Sequence, residues 1–146
     1  MITQKKPRKK VGIGTEGKIH ISFANSIRWY EAGGKTKIAW WSYDASGEKR
    51  STVTGGLLKR KGLNPGKPDY FFYYIDKEDY LYAVYIEFKK PLTFTADGTK
   101  SKAGVLSDKQ EIFLSKMSKA KNVNCYICYD VESAINALKK HGLIWD

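Results

Sequence analysis

Asp69, Glu87 and Lys89 are the residues whose types and spacing could do chemistry, since two carboxylates and an ammonium brought together can hold a hard cation beside a phosphate. Asp69 follows Pro68 at the end of GLNPGKPD, and Tyr70 to Ile75 is aromatic and β-branched enough to form a strand. The polar run Asp76 to Asp79 interrupts it, and Leu81 to Phe88 resumes it, which predicts an antiparallel hairpin with a short connection. With a loop over 77–79, Asp76 pairs with Tyr80, and counting back along the ladder sets Asp69 opposite Glu87. Directly opposed side chains share a face, with Cβ atoms roughly 4.5–5.5 Å apart. Lys89, two residues beyond Glu87, points to the same side. Such a group suits Mg²⁺, which takes one or two carboxylates and keeps several waters. Lysine beside it can orient water and balance charge on a phosphate, so the expected chemistry is metal-assisted phosphodiester hydrolysis. The structural alternative is a hairpin buried on both faces, with Lys89 and Lys90 as its solvated end. Glu-x-Lys alone carries little, because Glu16 and Lys18 repeat it.

Other elements must position this hairpin. Thr15 opens a helical pattern as N-cap, with Ile19, Phe23, Ile27 and Tyr30 on one stripe and Gly33-Gly34 as stop. Glu16 then suits the helix dipole, or stands as a further acid facing the metal. A strand is expected over 37–43 and a short, weakly propagating helix in STVTGGLLKRKG, closed by Gly62. Ser107 and Gln110 have capping-box spacing ahead of a helix with Gln110, Phe113, Leu114 and Met117 on its inner stripe. A strand over 123–129 and a helix from Asp130, with Val131, Ala134, Ile135 and Leu138 inward and Gly142 as stop, complete an α/β chain. Residues 91–103 are polar and turn-rich, a loop bordering the site.

The 146 residues fit one domain, over 15–146, preceded by a flexible basic arm over 1–14. A 42% hydrophobic content with 14% aromatics excludes a disordered chain. Twenty-six basic against 15 acidic residues, a net charge of +11, favour a polyanionic partner, above all nucleic acid. Arg50, Lys59, Arg60, Lys61 and Lys67 flank the acidic cluster in sequence and are candidates to contact the DNA backbone. No stretch approaches the ~20 apolar residues of a membrane span, and MITQKKPRKK lacks the apolar core of a secretory signal. Cys125 and Cys128 lie three apart in a strand, facing opposite sides and without a second ligand pair, so they read as reduced thiols of an intracellular protein.

The succession Glu16-x-x-Ile19, then K-R-K-G-L-N-P-G-K-P-D over 59–69, then Ile86-Glu87-Phe88-Lys89, then G-V-L-S-D-K-Q over 104–110, resembles the VRR-NUC family of the PD-(D/E)xK nuclease superfamily. That resemblance implies a restriction-endonuclease-like αβββαβ core with a mixed central sheet flanked by helices. It also implies Mg²⁺-dependent cleavage of DNA, with Mn²⁺ able to substitute. It places Glu16, Asp69, Glu87 and Lys89 at catalytic positions, Gln110 along the site, and the Phe88 carbonyl as a further metal ligand. Small stand-alone members of the family, common in phages and other viruses, resemble homodimeric resolvases of branched DNA such as Holliday junctions. Two features depart from the family pattern: His20 stands where glutamine is usual, and the loop over 91–103 is longer than minimal. The competing reading is a noncatalytic nucleic-acid-binding module whose aromatic residues stack on bases.

Overall fold

The computed structural model describes residues 15–45, 51–91, 97–98 and 104–146. Arg50, the arm over 1–14 and most of the loop over 91–103 therefore lie outside the described residues. Among those described, the chain runs α1 (Thr15–Ala32), β1 (Trp40–Tyr43), α2 (Thr52–Arg60), β2 (Tyr70–Ile75), β3 (Leu81–Phe88), α3 (Asp108–Met117), β4 (Val123–Cys128) and α4 (Val131–Lys140). This is an α/β fold in the expected αβββαβ order, with α2 inserted and α4 appended. The sheet has the order β1-β2-β3-β4, antiparallel between the first three strands and parallel between β3 and β4.

Strand alternation sorts the side chains into two faces. Phe72 and Tyr70 of β2, Val84, Ile86 and Phe88 of β3 and Cys128 of β4 are buried against Phe23 and Ile27 of α1 and Ala134 and Leu138 of α4. The Phe23 ring is the pin of this layer, meeting Tyr70 edge-on at 4.9 Å and Phe88 at 5.1 Å. The opposite face carries Tyr85 and Glu87, and there α3 packs, with the Phe113 ring 5.2 Å from that of Tyr85. Each stripe expected for α1, α3 and α4 is the stripe turned inward.

Boundaries differ in several places: β4 ends at Cys128 rather than 129, and Asp130 is the N-cap of α4 rather than its first residue. Thr15 is the first residue of α1 rather than its cap. The first strand is shorter than 37–43, because the chain end competes for its start. Thr36 bridges Ile144, and the Lys37 amide donates to the Leu143 carbonyl at 3.0 Å, so pairing with β2 begins only near Ala39. The short helix after Ser51 holds two central glycines and buries none of its residues, consistent with its weak propensity. Both cysteines are free, Cys128 in the core and Cys125 half-buried on the other face. Burial pushes the Cys128 thiol up to about 11, which keeps it protonated and unreactive. No helix among the described residues is long and apolar enough to cross a membrane.

Candidate active site

The hairpin has the expected register. Ile75 pairs with Leu81 and Tyr70 with Ile86, and the Asp76 amide donates to the Tyr80 carbonyl at 3.0 Å, leaving a loop over 77–79. The Asp76 carboxylate accepts from the Glu78 and Tyr80 amides, both at 2.9 Å, and Asp79 takes the left-handed conformation at φ 66° that a three-residue hairpin loop requires.

At the other end of the hairpin, Asp69 and Glu87 do more than face each other. Each carboxylate accepts from the partner strand's backbone: the Asp69 amide donates to Glu87 Oε2 at 3.0 Å, and the Phe88 amide donates to Asp69 Oδ2 at 2.8 Å. These bonds fix both carboxylates, which free rotamers would not. Glu87 is 4% exposed, the one buried charged residue among those described. Its Oε1 accepts from Gln110 Nε2 at 2.7 Å and pairs with Lys89 Nζ at 3.2 Å. Lys89 Nζ also donates to Gln110 Oε1 at 2.9 Å. That same oxygen accepts from the Ser107 amide at 3.0 Å, closing the capping box of α3. Gln110 thus caps the helix with one atom and spans the carboxylate and the ammonium with its amide.

The glycines of the sequence fragments have local reasons. Gly62 ends the α2 turn at φ 99°, and Gly104 donates from its amide to the Lys90 carbonyl, with its α-carbon side facing Lys89. Gly66, at φ 115°, lies so close to α3 that a Cβ there would come within 2.6 Å of the Lys109 carbonyl oxygen. The loop bearing Asp69 is therefore seated on the first turn of the helix bearing Gln110.

These residues line a cleft of about 890 Å³, closed on the far side by Glu16, His20, Ala24 and Arg28 of α1. His20 is held by the Tyr70 hydroxyl, 3.2 Å from its Nδ1, with its Nε2 3.8 Å from the Glu16 carboxylate. Glu16 itself is exposed. Of the basic residues expected at the site, Lys67 lines the cleft, its ammonium 3.9 Å from Asp44 and 4.7 Å from the Phe71 ring centre. Lys59, Arg60 and Lys61 stand exposed at the end of α2 and do not line it. Arg28 and Tyr43 do, and sequence reasoning did not single them out. The signal for Arg28 was present: every fourth residue from Glu16 gives His20, Ala24 and Arg28, one row on a helix.

Burial, followed by the charge of Glu16, pushes the Asp69 carboxyl up to about 6 from the ordinary 3.8, against the opposing pull of the Phe88 amide and Lys89. Burial and the Asp69 charge also raise Glu87, with Lys89 acting in the other direction. A raised folded-state value means that protonation stabilises the fold. The contribution is complete below pH 3.8 and lost as pH rises through about 6. Asp69→Asn cannot ionise and should escape this loss. Its melting temperature is expected to exceed wild type at pH 7.5, by the equivalent of about 1–2 kcal/mol after solvent screening, and to match it near pH 4. Melting curves at the two pH values check this, and a constant difference would contradict it.

The donor set fits a hard divalent cation: two fixed carboxylates in a cleft where ionising both is costly without a positive charge between them. Among the described residues, no three Asp, Glu, His or Cys side chains form a group that could hold a metal ion, and Glu16 lines the same cleft as Asp69 and Glu87.

No family model, curated protein or solved structure matches the chain.

Proposed function

We propose that the protein is a Mg²⁺-dependent deoxyribonuclease that hydrolyses phosphodiester bonds, acting on branched DNA as a homodimer. The observation that carries this reading is the cluster of Asp69, Glu87, Lys89 and Gln110, with Glu87 buried and the other three half-buried, at the floor of an open cleft in a chain of net charge +11. It agrees with the sequence resemblance to the VRR-NUC nucleases, and the αβββαβ order is the one that resemblance implies.

Asp69 and Glu87 would hold the Mg²⁺, with the Phe88 carbonyl and Glu16 as the further ligands that the resemblance implies; Mn²⁺ would substitute. The bound ion supplies Lewis-acid stabilisation of phosphate charge and lowers the pKa of water. Lys89 is oriented by two partners, Gln110 and Glu87, so its third hydrogen stays available for an attacking water or a phosphate oxygen. Gln110 holds that ammonium without adding charge. Arg28 and Lys67, at the cleft wall, would contact phosphates flanking the scissile one, and Arg50, Lys59, Arg60 and Lys61 would extend the contact along the backbone. The exposed Val53, Leu57 and Leu63 on and after α2 leave apolar surface for a second copy.

The deciding experiment compares cleavage of a labelled four-way junction, a flap, a linear duplex and a single strand with Mg²⁺, Mn²⁺ or EDTA. Paired cuts in the junction with either metal, absent in EDTA and in Glu87→Ala, are expected. Binding should weaken steeply between low and physiological salt, since phosphate contacts release counterions. Salt-insensitive binding would remove the backbone-contact part of the proposal.

A second reading, a noncatalytic DNA-binding module, is favoured by the lack of a three-ligand group among the described residues. Binding without cleavage of any substrate in either metal would select it.

A further inference from the structure

A second concavity, of about 740 Å³, lies along α1 where it meets α4, with Tyr30 of the buried stripe and Ile135 of α4 among its lining residues. It is lined by Lys18, Ile21, Ser22, Asn25 and Trp29 of α1 and by Ile135 of α4, among others. Positions 18, 22, 25 and 29 form one helical row, and at 1.5 Å rise per residue they span about 16 Å. Ile21 lines both this groove and the cleft holding Asp69 and Glu87, so the two adjoin at that residue on α1.

Its chemistry is specific. Trp29 is 61% exposed, and Lys35 Nζ lies over its ring, 5.4 Å from the centre. Ser22 and Asn25 add hydroxyl and amide hydrogen-bonding groups, Lys18 a cation, and no Asp or Glu lines the groove. An exposed aromatic face flanked by ammonium groups and neutral polar side chains is how a protein holds unpaired bases, with stacking on the ring and lysines on the phosphates. A duplex cannot use such a ring, because its bases are already stacked and paired.

We propose that this groove binds single-stranded DNA leaving the catalytic cleft, with a base stacked on Trp29, its phosphate paired with Lys35, and Lys18 holding the strand nearer the cleft. The assignment deepens the nuclease reading, on which it rests for the identity of the strand: at a branch, one strand departs from the duplex being cut.

The test measures fluorescence anisotropy in EDTA, where nothing is cut, with two probes: a labelled duplex carrying an oligothymidine tail and the same duplex blunt-ended. Wild type should prefer the tailed probe. Trp29→Ala should weaken tailed binding about tenfold and blunt binding by less than about twofold, Trp29→Phe should keep most of the affinity, and Lys18→Glu should weaken the tailed probe selectively. The proposal is overturned if wild type shows no tail preference, or if Trp29→Ala affects both probes equally or neither. A lower sedimentation coefficient for Trp29→Ala would also overturn it, by making this face a self-association surface. Because no step depends on cleavage, tail preference surviving in a protein that cuts nothing would separate loss of the nuclease reading from loss of this one.

Discussion

Glu87→Gln is expected to lower cleavage by about 10³-fold or more while leaving DNA affinity equal or improved. Glutamine has the size of glutamate but offers one carbonyl oxygen, whereas Glu87 serves Gln110 and Lys89 on Oε1 and the Asp69 amide on Oε2. Its NH₂ must therefore confront a donor, at about 1–3 kcal/mol. Against this, the change removes a buried charge whose pKa burial and Asp69 already raise. The two effects oppose, so stability at neutral pH should change little, and a large loss of rate cannot be blamed on unfolding. Single-turnover cleavage, anisotropy and thermal melting on one preparation make the case. Retained cleavage would remove Glu87 from the chemistry, and a parallel loss of binding would mean that it shapes the cleft instead.

Gly66→Ala should be nearly as damaging without altering any chemical group. The position sits at φ 115°, and an added Cβ would lie 2.6 Å from the Lys109 carbonyl oxygen and 2.8 Å from its carbon. Backbone cannot yield as a flexible side-chain tip can, so the loop and the first turn of α3 must part. Strain and overpacking together should cost about 2–4 kcal/mol. Displacement of Asp69 relative to Gln110 by on the order of 1 Å should cost about 10²-fold in rate. Gly55→Ala is the control: it lies inside α2 with nothing within 4 Å of an added Cβ, and should gain up to about 1 kcal/mol at unchanged rate. If Gly66→Ala melts and cuts like wild type, the close seating of the loop on α3 has no functional weight.

The hairpin register could be counted from sequence because its loop is defined chemically. Asp76 has the carboxylate to bind two amides, and a polar run follows an unbroken aromatic one, so a loop over 77–79 is the natural choice and the register follows from it. The position of Asp69 against Glu87 followed from that count. Gln110 was half legible. Its spacing from Ser107 gives the capping box, but its simultaneous contact with Glu87 and Lys89 depends on where α3 lands on the sheet, which no local pattern states. Arg28 was hidden for a similar reason, whereas His20 was visible only as a departure from the family pattern. A helix row is visible in sequence, but its rotation toward a cleft is decided by how Phe23 seats against Tyr70 and Phe88. Lys59, Arg60 and Lys61 were placed at the site by adjacency in sequence alone. The helix that carries them buries none of its residues, so nothing in its own composition aims them.

The turn over 77–79 stands at the opposite end of the hairpin from Asp69, beyond the β2 ladder end at Ile75, which is six residues or about 20 Å from Asp69 at 3.4 Å per residue. Lys77 and Glu78 are exposed there, and the ladder between turn and cleft is anchored by Asp76. That geometry makes the tip a handle. A fluorophore on a cysteine introduced at Lys77 would ride with β2 and β3 at a distance from the cleft, and, under the proposed function, energy transfer to labelled junction arms would report how the arms are held during cutting.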